Sequence, residues 1–180
     1  MLAELLVVAL GDGGLVLIPV REERIVLVEH QAEAFVGGGH PAGTDTRRFD
    51  PARVDRRAVR CELGLGAGQL VVGQVSVREW KGWRELLQAF ALIAPQRPEA
   101  RLLLVGCNTH PYNRPYIDKV EREVARLGVQ GHVIWAGERP DVPEILKALD
   151  VFVLASLVEM HPLSVLEAMI QRVPVVATAV

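Results

Sequence analysis

The chain from residue 70 onward alternates short apolar runs with longer segments whose apolar residues recur at helical spacing. Short apolar runs indicate buried strands, and recurrence at i, i+3 and i+4 indicates helices that bury one face. The pattern predicts five strands, at Leu70–Val75, Arg101–Val105, His132–Ala136, Asp150–Ala155 and Val173–Thr178. It predicts four helices between them, at Trp83–Ile93, Ile117–Leu127, Val142–Leu149 and Pro162–Ile170. This alternation predicts an α/β fold with a doubly wound parallel sheet, in which ligands bind beyond the carboxyl ends of the strands.

The first fifty residues have a weaker pattern. Two short strands and a flexible turn are predicted there, at Leu15–Pro19, Arg24–Val28 and Gly37–His40. Asp50 begins a charged helix that is predicted to end near Leu63, with Gly64 suited to its C-terminal cap.

Size and composition narrow the possible classes of protein. At 180 residues, half of them hydrophobic, the chain can bury one substantial core. A net charge of −2 with no basic block argues against nucleic-acid binding. Cys61 and Cys107 are too few for a disulfide framework or zinc site, and we expect both to be reduced and buried. Glu4, Asp12 and three glycines interrupt the apolar first twenty residues, so we expect a soluble, cytoplasmic protein without a signal peptide or membrane span.

The last predicted helix carries the strongest candidate chemistry. Only Ser164 and Glu167 are polar in this helix, and at i, i+3 they share one face. Apolar residues cover nearly all the rest, which predicts a helix buried on most sides. An ionised carboxylate there needs hydrogen-bond partners, and sugar hydroxyls are suitable ones. A solvated polar stripe on an amphipathic helix is the alternative that the pattern leaves open.

Other candidate residues follow the first two strands. Lys81 stands at a strand-to-helix turn, where it can meet phosphate together with helix N–H groups, although a solvated turn lysine is also consistent with the pattern. The turn lacks the glycine patterns of NAD and P-loop sites. Gly106 either lets the backbone approach a ligand or forms a plain turn. His110 and His161 have no partners at metal-ligand spacing, so we expect ordinary histidines. We expect core or rim packing for Trp80, Trp83 and Trp135.

Several landmarks occur in a fixed order. Pro41–Phe49 resembles an interdomain Pro-Asn-Gly-Val-Asp-Thr-x-x-Phe segment, and strand motifs follow at 102–106, 133–137 and 150–156. Glu159 and Glu167 are separated by seven residues, and Pro174–Thr178 completes the set. As an ordered set they make residues 41–180 resemble the C-terminal, nucleotide-sugar-binding half of a GT-B retaining glycosyltransferase of glycosyltransferase family 4.

The resemblance implies a hexosyltransferase that uses a UDP- or GDP-sugar without a metal or other cofactor, and an acceptor that is a glycan, a lipid or a small molecule. It makes Glu159 the catalytic residue near the donor sugar, so that Glu159→Gln should reduce only the affinity contributed by the sugar. It assigns Glu167 to the ribose hydroxyls and Lys81 to the diphosphate, aided by the free N–H groups of Leu163 and Ser164.

The sequence also departs from the family pattern. Gln74 replaces the usual arginine before the lysine, and Arg78 is the candidate substitute. His161 and Pro162 replace an aromatic residue and glycine, and proline has no N–H to offer a phosphate. The predicted substrate-binding residues are Lys81, Arg78, Gln74, Gly106, His161, Leu163, Ser164 and Glu167.

The resemblance predicts two regions. Residues 1–50 form a segment of unassigned fold with an interdomain-like linker, and residues 51–180 form an incomplete Rossmann-like domain that is truncated at its C-terminus. The family's acceptor domain and its catalytic histidine would then lie outside this chain. Peripheral contact with the inner face of a membrane is a further expectation. Two alternatives stay open, a non-catalytic nucleotide-sugar-binding module and an unrelated Rossmann-like nucleotide-binding enzyme.

Overall fold

A computed structural model describes residues 4–9, 15–20, 25–28, 44–106, 114–178 and 180. The strands within these ranges are β1 Glu4–Ala9, β2 Leu15–Val20, β3 Ile25–Val28, β4 Leu70–Val75, β5 Ala100–Val105, β6 Val133–Gly137, β7 Val151–Leu154 and β8 Val175–Thr178. The helices are α1 Arg56–Glu62, α2 Trp83–Ile93, α3 Arg114–Leu127, α4 Val142–Ala148 and α5 Leu163–Ile170. None of these helices is long and apolar enough to cross a membrane.

The main sheet has six strands in the order β3-β8-β7-β4-β5-β6. The last five are mutually parallel, which confirms the doubly wound prediction. The chain runs from β4 outward to β6 and then returns to β7 on the other side of β4, so the strand order reverses between β4 and β7. In open α/β sheets such a switch point leaves a crevice at the carboxyl ends of the strands.

The N-terminal strands add to this architecture. β3 extends the main sheet by pairing antiparallel with β8, while β1 and β2 form a separate antiparallel pair. The predicted strands at 15–19 and 24–28 are confirmed, whereas β1 was not predicted. The predicted turn at 37–40 lies outside the described residues.

The core lies on both faces of the sheet because successive strand residues point to opposite sides. Leu102 and Leu104 of β5 pack with the buried faces of α2 and α3, and Trp83 lies in this cluster. Leu103 and Val105 pack on the opposite face, together with buried residues of α4 and α5. The core packing expected for Trp83 is confirmed, whereas Trp80 and Trp135 are exposed.

Two local expectations near α1 are wrong. The single helix predicted from Asp50 to Leu63 is a 3-10 turn at Pro51–Arg53 followed by α1, because Asp55 accepts hydrogen bonds from the N–H groups of Arg57 and Ala58 and so begins a new helix. Cys61 is exposed rather than buried because it lies on the outer side of α1. Cys107 lies outside the described residues. Gly64 does follow the helix end with a φ of +69°, as expected.

A polar cluster holds α1 against the amino-terminal ends of β4 and β7. Asp150 accepts hydrogen bonds from the guanidinium groups of Arg56 and Arg60 and from the Val71 N–H. Arg60 is buried and also donates to the carbonyl oxygens of Gly66 and Gln69. These contacts link strands on both sides of the switch point and so position the crevice at their other ends.

Candidate functional site

The loops that follow β4 and β7 meet at the switch point. The Leu157 N–H donates to the Trp80 carbonyl oxygen at 2.9 Å. Gly82 has a φ of +63°, and a Cβ atom there would lie 1.7 Å from the Ala155 carbonyl oxygen. Only glycine suits both the left-handed conformation and this close approach. The contact brings Lys81, the residue before Gly82, to the other loop.

Lys81 and Glu159 form an ion pair across these loops. Their side chains are mostly buried, with exposures of 16% and 13%. Burial alone would raise the pKa of Glu159, but hydrogen bonds from Lys81 and Ser156 outweigh it and lower that pKa. Glu159 is therefore an ionised carboxylate at neutral pH, and Lys81 is already paired with it.

Ser156 supports Glu159 and was not among the predicted site residues. Its hydroxyl donates to Oε1 of Glu159 at 2.7 Å, and the residue is fully buried. The Thr178 hydroxyl donates to the Ser156 carbonyl oxygen at 2.5 Å, which ties the loop to β8. The sequence signal was a serine three residues before the acidic residue, directly after a buried strand.

Gln74, in β4, supports the backbone of Lys81. Its side-chain amide donates to the Lys81 carbonyl oxygen at 2.7 Å, and the side chain is fully buried. Its own Oε1 is buried and has no hydrogen-bond partner among the described residues. In this arrangement Gln74 holds the lysine backbone and presents no surface to a ligand, so its direct contact with substrate stays a prediction.

Arg78 and Gly106 lie at the neighbouring strand ends. The Arg78 guanidinium donates to the Gly106 carbonyl oxygen at 3.2 Å. Gly106 has a φ of +80°, and a Cβ atom there would lie 3.2 Å from the Ser76 backbone. The close approach predicted for Gly106 is therefore made to the protein's own backbone, and the ligand contacts of both residues stay predictions.

Helix α5 differs from the expectation in its burial and in the N–H groups at its N-terminus. Of its residues only Ala168 is buried, so the prediction of a helix buried on most sides is wrong. Ala168 lies in the core with Val165, Met169 and Ile170 packed against it, while Leu163 is exposed. The Leu163 N–H donates to the His161 carbonyl oxygen at 2.9 Å and is not free, whereas the Ser164 N–H makes no hydrogen bond within the described ranges. His161 is exposed at this helix end, and His110 lies outside the described residues.

Glu167 lies in surroundings unlike those of Glu159. It is half-buried in α5, and burial raises the pKa of its carboxyl, with the nearby Arg48 charge partly offsetting that rise. No side chain in the described part of the chain forms a hydrogen bond or ion pair with it. Arg48 was not predicted as a site residue, and it is held there by a 2.8 Å hydrogen bond to the Pro140 carbonyl oxygen. Glu167 therefore has hydrogen-bonding capacity that a ligand can satisfy.

No group of three or more His, Cys, Asp and Glu side chains in the described residues could hold a metal ion. The polar groups where these loops meet are Lys81 and Glu159, which the buried Ser156 supports, with Glu167 and the Ser164 N–H on the adjoining helix. This set can neutralise an anion and accept hydrogen bonds from hydroxyl groups.

Comparison with known proteins gives a consistent result. The family model for glycosyl transferases group 1 matches residues 68–180. The chain is 33% identical over 139 residues to the lipopolysaccharide core biosynthesis mannosyltransferase LpsB of Rhizobium meliloti, covering 77% of this chain and 39% of that protein. It is 32% identical over 144 residues to mannosylfructose-phosphate synthase of Agrobacterium fabrum, covering 77% of this chain and 31% of that protein.

Solved structures with a similar fold agree. HepE of Anabaena, crystallised with UDP and glucose, superposes with a TM-score of 0.65 at 28% identity, over 74% of this chain and 35% of that one. The C-terminal domain of the group 1 glycosyl transferase LpcC of Francisella tularensis superposes with a TM-score of 0.63 at 27% identity, over 74% of this chain and 69% of that one. The chain thus spans less than two fifths of the two curated relatives.

Proposed function

We propose, since the chain belongs to the family of group 1 glycosyl transferases, that it is the donor-binding part of a retaining, metal-independent glycosyltransferase. The donor is a UDP- or GDP-sugar, and the acceptor is a glycan, a lipid or a small molecule. The observation that carries this proposal is the convergence of Lys81 and Glu159 at the switch point, with Glu167 on the adjoining helix. The similarity to a protein crystallised with UDP and glucose supports the same donor class.

The charge distribution suits departure of a nucleoside diphosphate. The diphosphate gains negative charge as the bond to the sugar breaks, and positive groups placed there stabilise the transition state. Lys81 supplies a full charge, and the N-terminus of α5 adds a partial one through the Ser164 N–H. This positive charge comes from the protein itself, which is why we propose that no metal ion is needed.

The acidic pair suits two different parts of one extended ligand. Glu159 lies on the loop before α5, whereas Glu167 lies five residues beyond Pro162, or roughly 7.5 Å along the helix. We assign Glu159 to the donor sugar, close to the reacting centre. We assign Glu167 to the ribose, whose hydroxyl groups would donate to a carboxylate that has no partner within the described residues.

Transfer itself needs more than these residues. In the two-domain arrangement that the family resemblance implies, the reaction takes place in a cleft between a donor-binding and an acceptor-binding domain. We therefore expect the 180-residue chain to bind donor but scarcely to transfer sugar unless an acceptor domain completes the cleft. A non-catalytic binding module is the alternative, and family membership argues against an unrelated Rossmann-like enzyme.

Calorimetric titration with UDP, GDP and their glucose and mannose conjugates, in EDTA and in Mg²⁺, tests the proposal. We expect binding of one nucleotide series in EDTA. Lys81→Ala should weaken binding of the diphosphate by about 10- to 100-fold, since a charge-assisted contact contributes roughly 1.5–3 kcal/mol, and should leave the bare nucleoside nearly unchanged.

Lys119→Ala is the matched control, because Lys119 pairs with Glu79, two residues from Lys81 along the chain, and both side chains of that pair are exposed. It should leave binding of every ligand within twofold of the parent. An absolute requirement for Mg²⁺ would refute metal independence. Equal losses for diphosphate and nucleoside in Lys81→Ala would refute the assignment of Lys81 to the phosphates.

A further inference from the structure

The Lys81–Glu159 ion pair is held from both sides by buried groups. The Gln74 amide fixes the Lys81 backbone, and the buried Ser156 hydroxyl donates to the same Glu159 oxygen that meets the lysine. The side-chain exposures of the pair are 16% and 13%, against 41% and 50% for the Lys119–Glu79 pair nearby. This difference indicates a pair built into the crevice rather than a chance surface contact.

The ion pair has a consequence for any anion that enters the site. A diphosphate that reaches Lys81 has to compete with Glu159, and it brings like charge toward that carboxylate. Phosphate oxygens of an ionised diphosphate only accept hydrogen bonds, so they cannot replace what Glu159 loses. Sugar hydroxyl groups can donate to Glu159 and so restore its hydrogen bonding. The bare nucleotide therefore leaves the Glu159 carboxylate without the donor it had in Lys81, whereas the nucleotide sugar provides new donors in its hydroxyl groups.

We propose that Glu159, through its ion pair with Lys81, determines specificity by disfavouring the bare nucleoside diphosphate relative to the nucleotide sugar. This inference rests on the proposed function. It changes the expectation drawn from the sequence, in which Glu159→Gln left the bare nucleotide unaffected. When the sugar has been transferred, Glu159 loses its hydroxyl partners and re-forms the pair with Lys81, which favours release of the diphosphate.

Titration of the 180-residue chain with UDP and UDP-glucose, and in parallel with GDP and GDP-mannose, tests the inference. Glu159→Gln should bind the bare diphosphate about three- to tenfold more tightly than the parent, since it frees Lys81 for the phosphates. The preference for the sugar conjugate over the bare diphosphate should shrink by about tenfold. The freed lysine benefits both ligands, whereas only the conjugate loses the charge-assisted contact between its hydroxyl groups and Glu159.

Glu79→Gln is the matched control, since it removes the same charge two residues from Lys81 but from an exposed pair. It should leave both affinities within twofold of the parent. In a Lys81→Met background, Glu159→Gln should tighten binding of the bare diphosphate by clearly less than in the parent background, because there is no lysine left to free and only the like-charge repulsion is relieved.

Three outcomes would overturn the inference. They are unchanged or weaker diphosphate binding by Glu159→Gln, equal tightening in Glu79→Gln, and tightening of the same size without Lys81. Each of these leaves the proposed function standing as long as the parent binds the nucleotide sugar. Absence of nucleotide binding by the parent and by every variant would overturn the proposed function and the inference together.

Discussion

Replacing Gly82 with alanine should force apart the two loops that form the site. The new Cβ atom would lie 1.7 Å from the Ala155 carbonyl oxygen, where about 3.0 Å is the least that real structures tolerate. One loop must therefore move by roughly 1.3 Å. That movement removes the Trp80–Leu157 hydrogen bond and draws Lys81 away from Glu159.

The magnitude follows from two costs. A left-handed backbone costs a residue with a Cβ atom about 1–2 kcal/mol. Overpacking against a neighbouring element costs typically about 1–3 kcal/mol more. Gly82→Ala should thus lower the free energy of unfolding by about 2–5 kcal/mol. Gly128 is the matched control, because its φ is +72° and a Cβ atom there would meet nothing within 4 Å. Gly128→Ala should incur only the first of these costs, that of the left-handed backbone.

Urea denaturation followed by tryptophan fluorescence, to which the buried Trp83 contributes, measures the stability of both variants. Calorimetry with UDP and GDP measures nucleotide binding at the site. Gly82→Ala should be less stable than Gly128→Ala by about 1–3 kcal/mol, and it alone should lose nucleotide affinity. If the two variants unfold at the same urea concentration and bind nucleotide equally, the loops do not meet as described and the reasoning is refuted.

Three further predictions concern charged residues and use the same unfolding measurement. Asp150→Asn should cost about 2–4 kcal/mol because it leaves the buried Arg60 without its anion. Asp118→Asn, in an exposed pair with Arg114, should cost less than about 1 kcal/mol, and equal losses would contradict this. Because the pKa of Glu159 is lower in the folded protein than its ordinary value of 4.5, this carboxylate stabilises the fold at pH values above 4.5, and the stabilisation is lost on acidification. Glu159→Gln should therefore lose less stability than the parent as the pH falls below 4.5. The pKa of Glu167 is raised, so pH has the opposite effect on its contribution, and the parent loses stability as the pH rises above 4.5. Glu167→Gln should therefore be the more stable protein at pH 7. A less stable variant at that pH would contradict the burial of this carboxylate.

The main sheet was predictable because buried parallel strands appear in a sequence as continuous apolar runs. Leu70–Val75 was predicted with its observed bounds, and the β5 strand begins one residue earlier than predicted. Glycine and aspartate mark several element ends, as Gly64 does for α1, through conformations that few other residues adopt. The order of the family landmarks along the chain was enough to identify the family, and the parallel topology then placed Lys81 and Glu159 at one edge.

Other features depended on neighbours far along the chain. Lys81 and Glu159 are 78 residues apart, and nothing local to either residue indicates that the two side chains meet. The same holds for β3 pairing with β8. The apolar pattern of α5 predicted burial on most sides, yet Ala168 is the one residue of this helix that is fully buried. Hydrophobic periodicity indicates which face of an element avoids water, whereas strand order and the approach of loops decide which groups that element contacts. Those distant contacts determine that Lys81 pairs with Glu159, that Ser156 supports this glutamate, and that Glu167 has no side-chain partner among the described residues.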